Sequence, residues 1–442
     1  MAHGNHSRAD PSYLGYDYFQ RDLAKMGIIA VSIDCNALNG IAGSVQNILD
    51  RAELVYDNIA HFQGLDADVA SAFHQKIDFA RTGLMGHSRG GDAVVMGPAM
   101  LSLPGVTIKS ALALAPTNFR FSNGLPTIAP KGHAFMTVLP AGDGDVRNNP
   151  GAQFYDLAEP GPFKSQLYVH FTNHNYFNRR WLEDDSLLTQ PQPAVISRTA
   201  HEQILTSYGC AFYRATLLAH ATTAYLSGHL RPSGPMIEHV YLSYQQDKAT
   251  TVDNHEEQNG INTNSLLRPT AQIAGLAARE HTFRQVQPFH PPLPPGAPAT
   301  FNGTFFGEST GMVILRGAPP NGLFRSELSV PVDIAKLEIW IRAAEVTNGD
   351  SVPGGSSGFK LGVEDKAGLQ SWVDSDEVGG LPRPYARDPG RVKTMLNTHR
   401  FYGQCFMTER EFDPTNVVAI LLRCDRPDER AIAFDDLQLV DR

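Results

Sequence analysis

The chain has 442 residues, more than an average single domain needs, and its 42% hydrophobic and 19% charged residues are an ordinary globular mixture. A formal net charge of −9 without a conspicuous basic stretch argues against a nucleic-acid-binding protein. The sequence contains neither an apolar run long enough to span a membrane nor a signal-peptide pattern at its start.

In the first half, apolar segments with helical spacing alternate with short apolar runs. The pattern predicts helices over 13–26, 44–62 and 202–227, and strands over 28–33, 82–85, 108–114, 134–139 and 166–171. Strands that alternate with helices indicate a parallel sheet covered on both faces. This predicts an α/β domain over residues 1–236.

From about residue 237 the chain is rich in Gly, Pro, Asn and Asp, and the apolar runs become short. The predicted strands are 311–315, 328–332, 337–341, 359–363, 417–422 and 432–440. Many short strands without helices between them indicate a β-sandwich or jelly roll over residues 237–442. The Pro-rich stretch 288–298 is predicted to be a stiff loop.

The four cysteines are too few and too scattered for a disulfide framework or a zinc site. Cys405 and Cys424 either form a bridge between neighbouring strands or remain free thiols. His170 and His174 would be about 13 Å apart on one strand, too far to share a metal ion. No metal site is therefore predicted from these residues.

The segment Gly86-His87-Ser88-Arg89-Gly90-Gly91 has the pattern of a nucleophile elbow, in which glycines leave room for a sharp turn that presents a serine. Ser88 follows a predicted strand and precedes a helix-compatible run, so it is the predicted nucleophile. Ser356, in Gly354-Gly355-Ser356-Ser357-Gly358, matches the same pattern without a strand before it or a helix after it. We interpret that second match as a flexible loop.

The acid and the base are expected after later strands, in the chain order Ser, Asp, His. The strand 134–139 is followed by Asp143 and Asp145, and we favour Asp145 as the carboxylate that orients the base. The strand 166–171 is followed by His174, the predicted general base. The backbone N–H groups of Arg89 and Asn5 are the predicted oxyanion hole, the alternative for Asn5 being a disordered N-terminus. Tyr176, Phe177 and Trp181 are either substrate-binding or core residues.

Together these motifs resemble bacterial α/β-hydrolases of the esterase, cutinase and dienelactone-hydrolase group. The matching segments are His3-Gly4-Asn5, Gly15-Tyr16-Asp17-Tyr18, Ser32-Ile33-Asp34-Cys35-Asn36, Gly86 to Gly91, Leu114-Ala115-Pro116, Gly142 to Val146 and Asn173 to Asn178. The resemblance implies the α/β-hydrolase fold over roughly residues 3–230, ester hydrolysis without a cofactor, and Asp145 as the acid of the triad. It also implies strands before the His-Gly loop, so we expect a truncated start or a rearranged sheet, and secretion if the start is truncated.

The second half resembles the carbohydrate-binding jelly rolls of secreted hydrolases through Val252-Asp253-Asn254-His255-Glu256 and Phe434-Asp435-Asp436-Leu437. This resemblance implies a glycan or surface contact and a structural calcium ion in the sandwich. The expected activity of the whole chain is hydrolysis of small or polymeric carboxylic esters. Two alternatives remain open at this point. One is an amidase or peptidase with the same triad, and the other is an inactive hydrolase that binds a glycan or a protein.

Overall fold

In a computed structural model, the described residues are 1–159, 161–188, 194–232, 238–257, 259–282, 304–306, 308, 310–316, 322–345, 358–388, 391–407, 411–424 and 431–442. They form two compact units, Met1–Asp247 and Lys248–Arg442. The predicted loop 288–298 and the second serine motif around Ser356 lie outside the described residues.

The first unit is built on a five-stranded sheet with the order β1-β2-β3-β4-β5. Its strands are β1 (Thr82–His87), β2 (Ile108–Leu114), β3 (Ala134–Pro140), β4 (Phe163–Val169) and β5 (Val240–Gln246). The first four are parallel, and β5 runs antiparallel to β4. The helices are α1 (Asp17–Lys25), α2 (Val45–Ala67), α3 (Arg89–Met100), α4 (Phe119–Ser122), α5 (Gly151–Leu157), α6 (Arg198–Leu217) and α7 (Thr223–Ser227). The predicted α/β architecture with a parallel sheet is confirmed.

The first unit ends later than the predicted boundary at residue 236. Strand β5 pairs with β4 along its whole length, from Val240 beside Val169 to Gln246 beside Phe163. Because β5 completes this sheet, the first unit extends to Asp247. The predicted helix 202–227 is likewise divided, since α6 ends at Leu217 and α7 begins at Thr223.

The predicted strand 28–33 is wrong, because this stretch forms no regular strand in the structure. Only Ile33 pairs, in an isolated parallel bridge with Ala2, which also bridges Gly86 of β1. Ile33 donates its backbone N–H to Met1 O at 3.0 Å, and Ala2 donates to Met85 O at 2.9 Å. A strand needs a hydrogen-bonding neighbour along its length. Here the backbone contacts to the first residues are confined to Ile33 and to Val31, whose carbonyl oxygen accepts from the Met1 amino group at 2.6 Å.

The second unit contains two antiparallel sheets. One has the order β17-β12-β19-β10-β8, with β6 also paired to β19, and the other has the order β14-β13-β18-β11-β7. The strands are β6 (Thr250–Asp253), β7 (Thr270–Ile273), β8 (Ala277–Thr282), β10 (Gly311–Arg316), β11 (Leu323–Val332), β12 (Leu337–Glu345), β13 (Lys360–Asp365), β14 (Gln370–Asp374), β17 (Asn397–Tyr402), β18 (Val417–Arg423) and β19 (Ala431–Asp441). A small third sheet joins β9 (Thr304–Phe306), β15 (Tyr385–Asp388) and β16 (Arg391–Thr394).

The two large sheets share one apolar core. Ile339 and Phe434 of the first sheet belong to the same buried cluster as Phe324, Val363 and Ile420 of the second. Two antiparallel sheets that bury their facing side chains against each other form a β-sandwich, as predicted from the short apolar runs. Cys405 is exposed and Cys424 is buried, and no disulfide joins them. No helix among the described residues is long and apolar enough to cross a membrane.

Candidate active site

Ser88 lies in the turn between β1 and α3. Its backbone angles, φ 57° and ψ −123°, belong to a region that non-glycine residues rarely adopt. A Cβ atom on Gly86 would lie 1.9 Å from Gly90 O, and one on Gly90 would lie 2.2 Å from Ala2 O. The flanking glycines are therefore required by close backbone contacts, which is the physical content of the motif.

His174 follows β4 and binds a carboxylate in the interior of the unit. Its Nδ1 lies 2.9 Å from Asp143 Oδ2, and both side chains are almost fully buried. The segments that carry the predicted acid and base are thus brought together. A buried carboxylate on Nδ1 fixes the tautomer of the imidazole and leaves Nε2 to accept a proton.

The sequence-based choice of Asp145 as the orienting carboxylate is corrected by this geometry. Asp143 Oδ1 accepts the backbone N–H groups of Asp145 and Val146, at 3.0 and 2.6 Å. This local turn aims Asp143 at the imidazole and directs Asp145 outward. The Asp145 side chain is 60% exposed, and its Oδ2 lies 3.6 Å from Nε2, the opposite nitrogen of the ring.

The protonation of His174 is controlled by opposing effects. Burial lowers the pKa of the imidazole, but the charges of Asp143, Asp145 and Asp185 and the hydrogen bond that Nδ1–H donates to Asp143 outweigh it and raise the pKa to about 9. The imidazolium is therefore strongly stabilised in this site. Neutral imidazole, the form that can act as a base, prevails only at alkaline pH.

The ring of His174 packs against His87, the neighbour of Ser88 in the chain, and its Nε2 makes no hydrogen bond to the serine. Nε2 of His174 has no hydrogen-bond partner among the described residues. The ring of His87, next to Ser88 in the chain, lies 4.7 Å from the ring of His174, and Trp181 stacks parallel to His174 at 5.9 Å. Catalytic hydrogen bonds are often long in unliganded enzymes and tighten only when substrate binds, and the pairing of Ser88 with His174 stays a prediction.

The His3-Gly4-Asn5 loop lies directly beside Ser88. A Cβ atom on Gly4 would lie 2.4 Å from Ser88 Cβ and 3.0 Å from Ser88 Oγ. His3 is buried, and the guanidinium of Arg51 donates to its carbonyl oxygen at 3.0 Å. The alternative of a disordered N-terminus is therefore wrong, although the oxyanion role of the Asn5 amide stays a prediction.

Arg89, which follows Ser88, is anchored by its side chain. Its Nη1 donates to Ile41 O at 2.9 Å and to Asn47 Oδ1 at 3.0 Å, and the guanidinium lies 5.5 Å from the ring centre of Phe119. Arg89 is the first residue of α3, where backbone N–H groups have no acceptor within the helix. This position suits the predicted contribution of its amide to an oxyanion hole, which also stays a prediction.

The three aromatic residues that follow the histidine do not form one pocket wall. Phe177 and Trp181 are buried. Trp181 contacts His174, whereas Phe177 and Tyr176 both pack against His201. Of the two sequence-based interpretations, the core role fits Phe177 and Trp181, and Tyr176 remains half-buried beside Arg198.

Sequence reasoning missed several residues that support the site. Trp181 Nε1 donates to Ser12 Oγ at 2.9 Å, and the Tyr16 hydroxyl lies 3.0 Å from His87 Nδ1. Tyr16 belongs to a segment that matched the resembled family, but no motif gave it a contact. Asp185 contacts the backbones of both the acid and the histidine loops. Only the three-dimensional fold brings these side chains to the site.

The acidic segments of the second unit do not fit the calcium centre that the resemblance implied. Among the described residues, no three His, Cys, Asp or Glu side chains gather in a metal-binding group. Thr310 Oγ1 lies 2.8 Å from Glu256 Oε1 and 3.1 Å from Asp435 Oδ2. Arg342 Nη1 lies 3.1 Å from the same oxygen of Asp435, so a guanidinium already supplies positive charge there.

Comparisons with known proteins give no family for this chain. No family model matches it, and no curated protein matches it. A family 30 carbohydrate-binding module is 12% identical, with 30% of this chain and 68% of that chain covered and a TM-score of 0.23. A family 11 module of a cellulosomal cellulase of Clostridium thermocellum is 8% identical, with 44% and 95% covered and a TM-score of 0.25. Identities and TM-scores this low establish neither a shared family nor a shared activity.

Proposed function

We propose that the first unit is a serine hydrolase of the α/β-hydrolase type that cleaves carboxylic esters. The observation that carries the proposal is the buried contact between His174 Nδ1 and Asp143 Oδ2, in a unit that also holds a serine in a strained strand-to-helix turn. Small and polymeric esters are both candidate substrates. The glycan contact expected of the second unit stays a prediction.

In the proposed mechanism, Ser88 Oγ attacks the ester carbonyl carbon while its proton passes to Nε2 of His174. Asp143 holds Nδ1–H and stabilises the resulting imidazolium. The backbone amides of Arg89 and Asn5 bind the oxyanion. The imidazolium then returns the proton to the departing alcohol, which leaves an acyl-Ser88 ester. A water molecule, deprotonated by the same Nε2, then attacks the acyl carbon. The imidazolium gives this proton to Ser88 Oγ as the acyl–oxygen bond breaks and the carboxylic acid leaves.

The direct test is hydrolysis of p-nitrophenyl butyrate together with covalent labelling by a fluorophosphonate probe. We expect both, and rates on a matched anilide far below those on the ester. Anilide turnover equal to ester turnover would assign an amidase or peptidase, since the same groups can cleave amides. A well-folded sample that the probe fails to label would assign an inactive scaffold.

The pH dependence of the reaction should follow the imidazole. Because only neutral His174 can accept the serine proton, and its carboxylate neighbours raise its pKa to about 9, kcat/KM should rise about tenfold per pH unit between roughly pH 6 and 8. It should level off above about pH 9. The measurement is kcat/KM from pH 6 to 10, corrected for spontaneous hydrolysis, with circular dichroism at each pH. A plateau already complete at pH 7 would contradict the expected protonation.

Gly4→Ala should impair the reaction because the added methyl group would lie 2.4 Å from Ser88 Cβ. The loop must move, and displacements of about 1 Å can cost roughly 10²-fold in rate. Overpacking of this kind also lowers the free energy of unfolding by about 1–3 kcal/mol. Ester kinetics and thermal melting measure both effects.

Gly64→Ala is the matched control, because a Cβ atom at this helical position meets no atom within 4 Å. It should leave kcat/KM unchanged and stabilise α2 by about 0.5–1 kcal/mol. Equal activity of the two variants would show that the loop tolerates movement at Ser88.

A further inference from the structure

Asp185 lies eleven residues beyond His174, at the start of a short 3-10 helix, Asp185–Leu188. Its side chain is buried. It belongs to none of the motifs that identified the serine, the acid and the histidine. The proposed mechanism gives it no chemical step, so its burial beside the site requires another explanation.

The carboxylate of Asp185 accepts backbone hydrogen bonds from two different loops. Oδ2 accepts from Gly144 N at 2.8 Å and from His174 N at 3.2 Å, and Oδ1 accepts from Asn175 N at 2.9 Å. Gly144 directly follows Asp143, so one carboxylate binds the backbone next to the acid and the backbone of the histidine itself. These loops follow β3 and β4, and the contact is independent of the side-chain bond between Asp143 and His174.

The backbones at this junction are in close contact. A Cβ atom on Gly144 would lie 1.8 Å from Asp185 O, so the acid loop passes directly against the segment that carries Asp185. A shift of this segment would therefore move the acid loop as well. Small displacements of this kind are costly, because a hydrogen bond to a charged group depends steeply on distance and angle.

A second carboxylate so close to Asp143 is electrostatically unfavourable. Burial and the charge of Asp143 raise the pKa of Asp185 to about 6, against the opposing effects of His174 and the backbone amides of Asn175 and Gly144. At neutral and alkaline pH the group is nevertheless ionised. The hydrogen bonds that the carboxylate accepts from the backbone must therefore offset the cost of keeping its charge in such surroundings.

We propose that Asp185 is a positioning residue, whose carboxylate sets the separation between the acid and histidine loops so that Asp143 Oδ2 meets His174 Nδ1. This inference rests on the proposed function for its catalytic consequence, but the positioning itself is a property of the fold. Asp185 touches no reacting atom. It acts through Asp143 and His174.

The test compares Asp185→Asn with Glu183→Gln, a matched loss of one charge at an exposed side chain in the same loop. The side chain of asparagine has only one acceptor oxygen. Its NH₂ group would therefore face one or two of the three backbone N–H groups that donate to Asp185 in the parent. We expect kcat of Asp185→Asn to fall about 10- to 100-fold with KM within about twofold, and Glu183→Gln to match the parent. Asp185→Ala should fall further, because it loses all three acceptor contacts.

A readout that does not depend on turnover is the Nδ1–H proton resonance of His174, identified by its absence in Asp143→Asn. In Asp185→Asn this proton should move upfield and exchange faster with solvent. Melting temperatures of all variants establish that each is folded. A merely structural role would lower the melting temperature without changing the Nδ1–H resonance.

The outcomes separate this inference from the proposed function. An active parent whose Asp185→Asn variant retains its kcat and its Nδ1–H resonance would overturn the role of Asp185 and leave the function standing. A parent without esterase activity would overturn the function. In that case a changed Nδ1–H resonance in Asp185→Asn still supports the positioning, and an unchanged one overturns it.

Discussion

Replacing Ser88 with alanine is expected to abolish ester hydrolysis, with a fall in kcat/KM of at least about 10⁴-fold. Among the described residues, Ser88 carries the only hydroxyl in the strained turn between β1 and α3. Without the nucleophile no acyl-enzyme forms, and only weak transition-state binding by the remaining groups survives. The measurements are p-nitrophenyl butyrate hydrolysis and fluorophosphonate labelling, with circular dichroism to verify folding.

The chain contains its own control for this substitution. Ser356 has the same glycine-flanked pattern as Ser88, so Ser356→Ala changes an equivalent sequence motif without a predicted catalytic role. It should retain the activity and the labelling of the parent. Full activity in Ser88→Ala, or its loss in Ser356→Ala, would contradict the assignment of the nucleophile.

Much of the first unit could be predicted because its strands are buried on both faces. Such strands appear in the sequence as continuous apolar runs, and β2 was predicted with the same bounds, 108–114, that the structure has. Helix α2 was predicted from apolar spacing, and Ser44, the first residue of that prediction, caps the helix through a hydrogen bond from Asn47 N. Local pattern and tertiary burial agree in these elements.

The errors arose where structure depends on distant pairing. The run 28–33 has the composition of a strand, but only Ile33 has a strand-like partner. Strand β5 lies beyond the change in composition at about residue 237. It nevertheless joins the first sheet by pairing with β4, about 70 residues earlier in the chain. Neither the lack of partners for 28–33 nor the pairing of β5 with β4 can be predicted from the local sequence. Strand pairing of this kind is decided by the rest of the fold.

The candidate site shows the same division. A local motif identified Ser88. His174 was identified because it directly follows a predicted strand, in the chain order that the fold requires. The choice between Asp143 and Asp145 could not be made in this way, because both follow the same strand two residues apart. It depends on the turn in which Asp143 Oδ1 accepts the amides of Asp145 and Val146. Asp185, and the stacking of Trp181 on His174, needed the complete fold.

Asp143→Asn should lower kcat/KM by about 10⁴-fold, whereas Asp145→Asn should raise it at neutral pH by several-fold. At position 143 the carboxamide can donate to Nδ1, which places the ring proton on Nε2 and removes the base from the side that faces the substrate. At position 145 the substitution removes a charge that helps to raise the pKa of His174. More of the imidazole is then neutral at pH 7. The check is kcat/KM for both variants from pH 6 to 10.

The opposite signs make this pair of variants decisive, because each serves as the control for the other. They remove the same charge from the same loop, 2.9 Å from Nδ1 in one case and 3.6 Å from Nε2 in the other. A general electrostatic effect would shift the pH profile of both variants in the same direction and leave their alkaline plateaus similar. Loss of the plateau in Asp143→Asn alone identifies the orienting carboxylate. Loss of the plateau in Asp145→Asn alone would assign Asp145, the residue that the sequence favoured, as the orienting carboxylate. It would also mean that the loop rearranges when substrate binds.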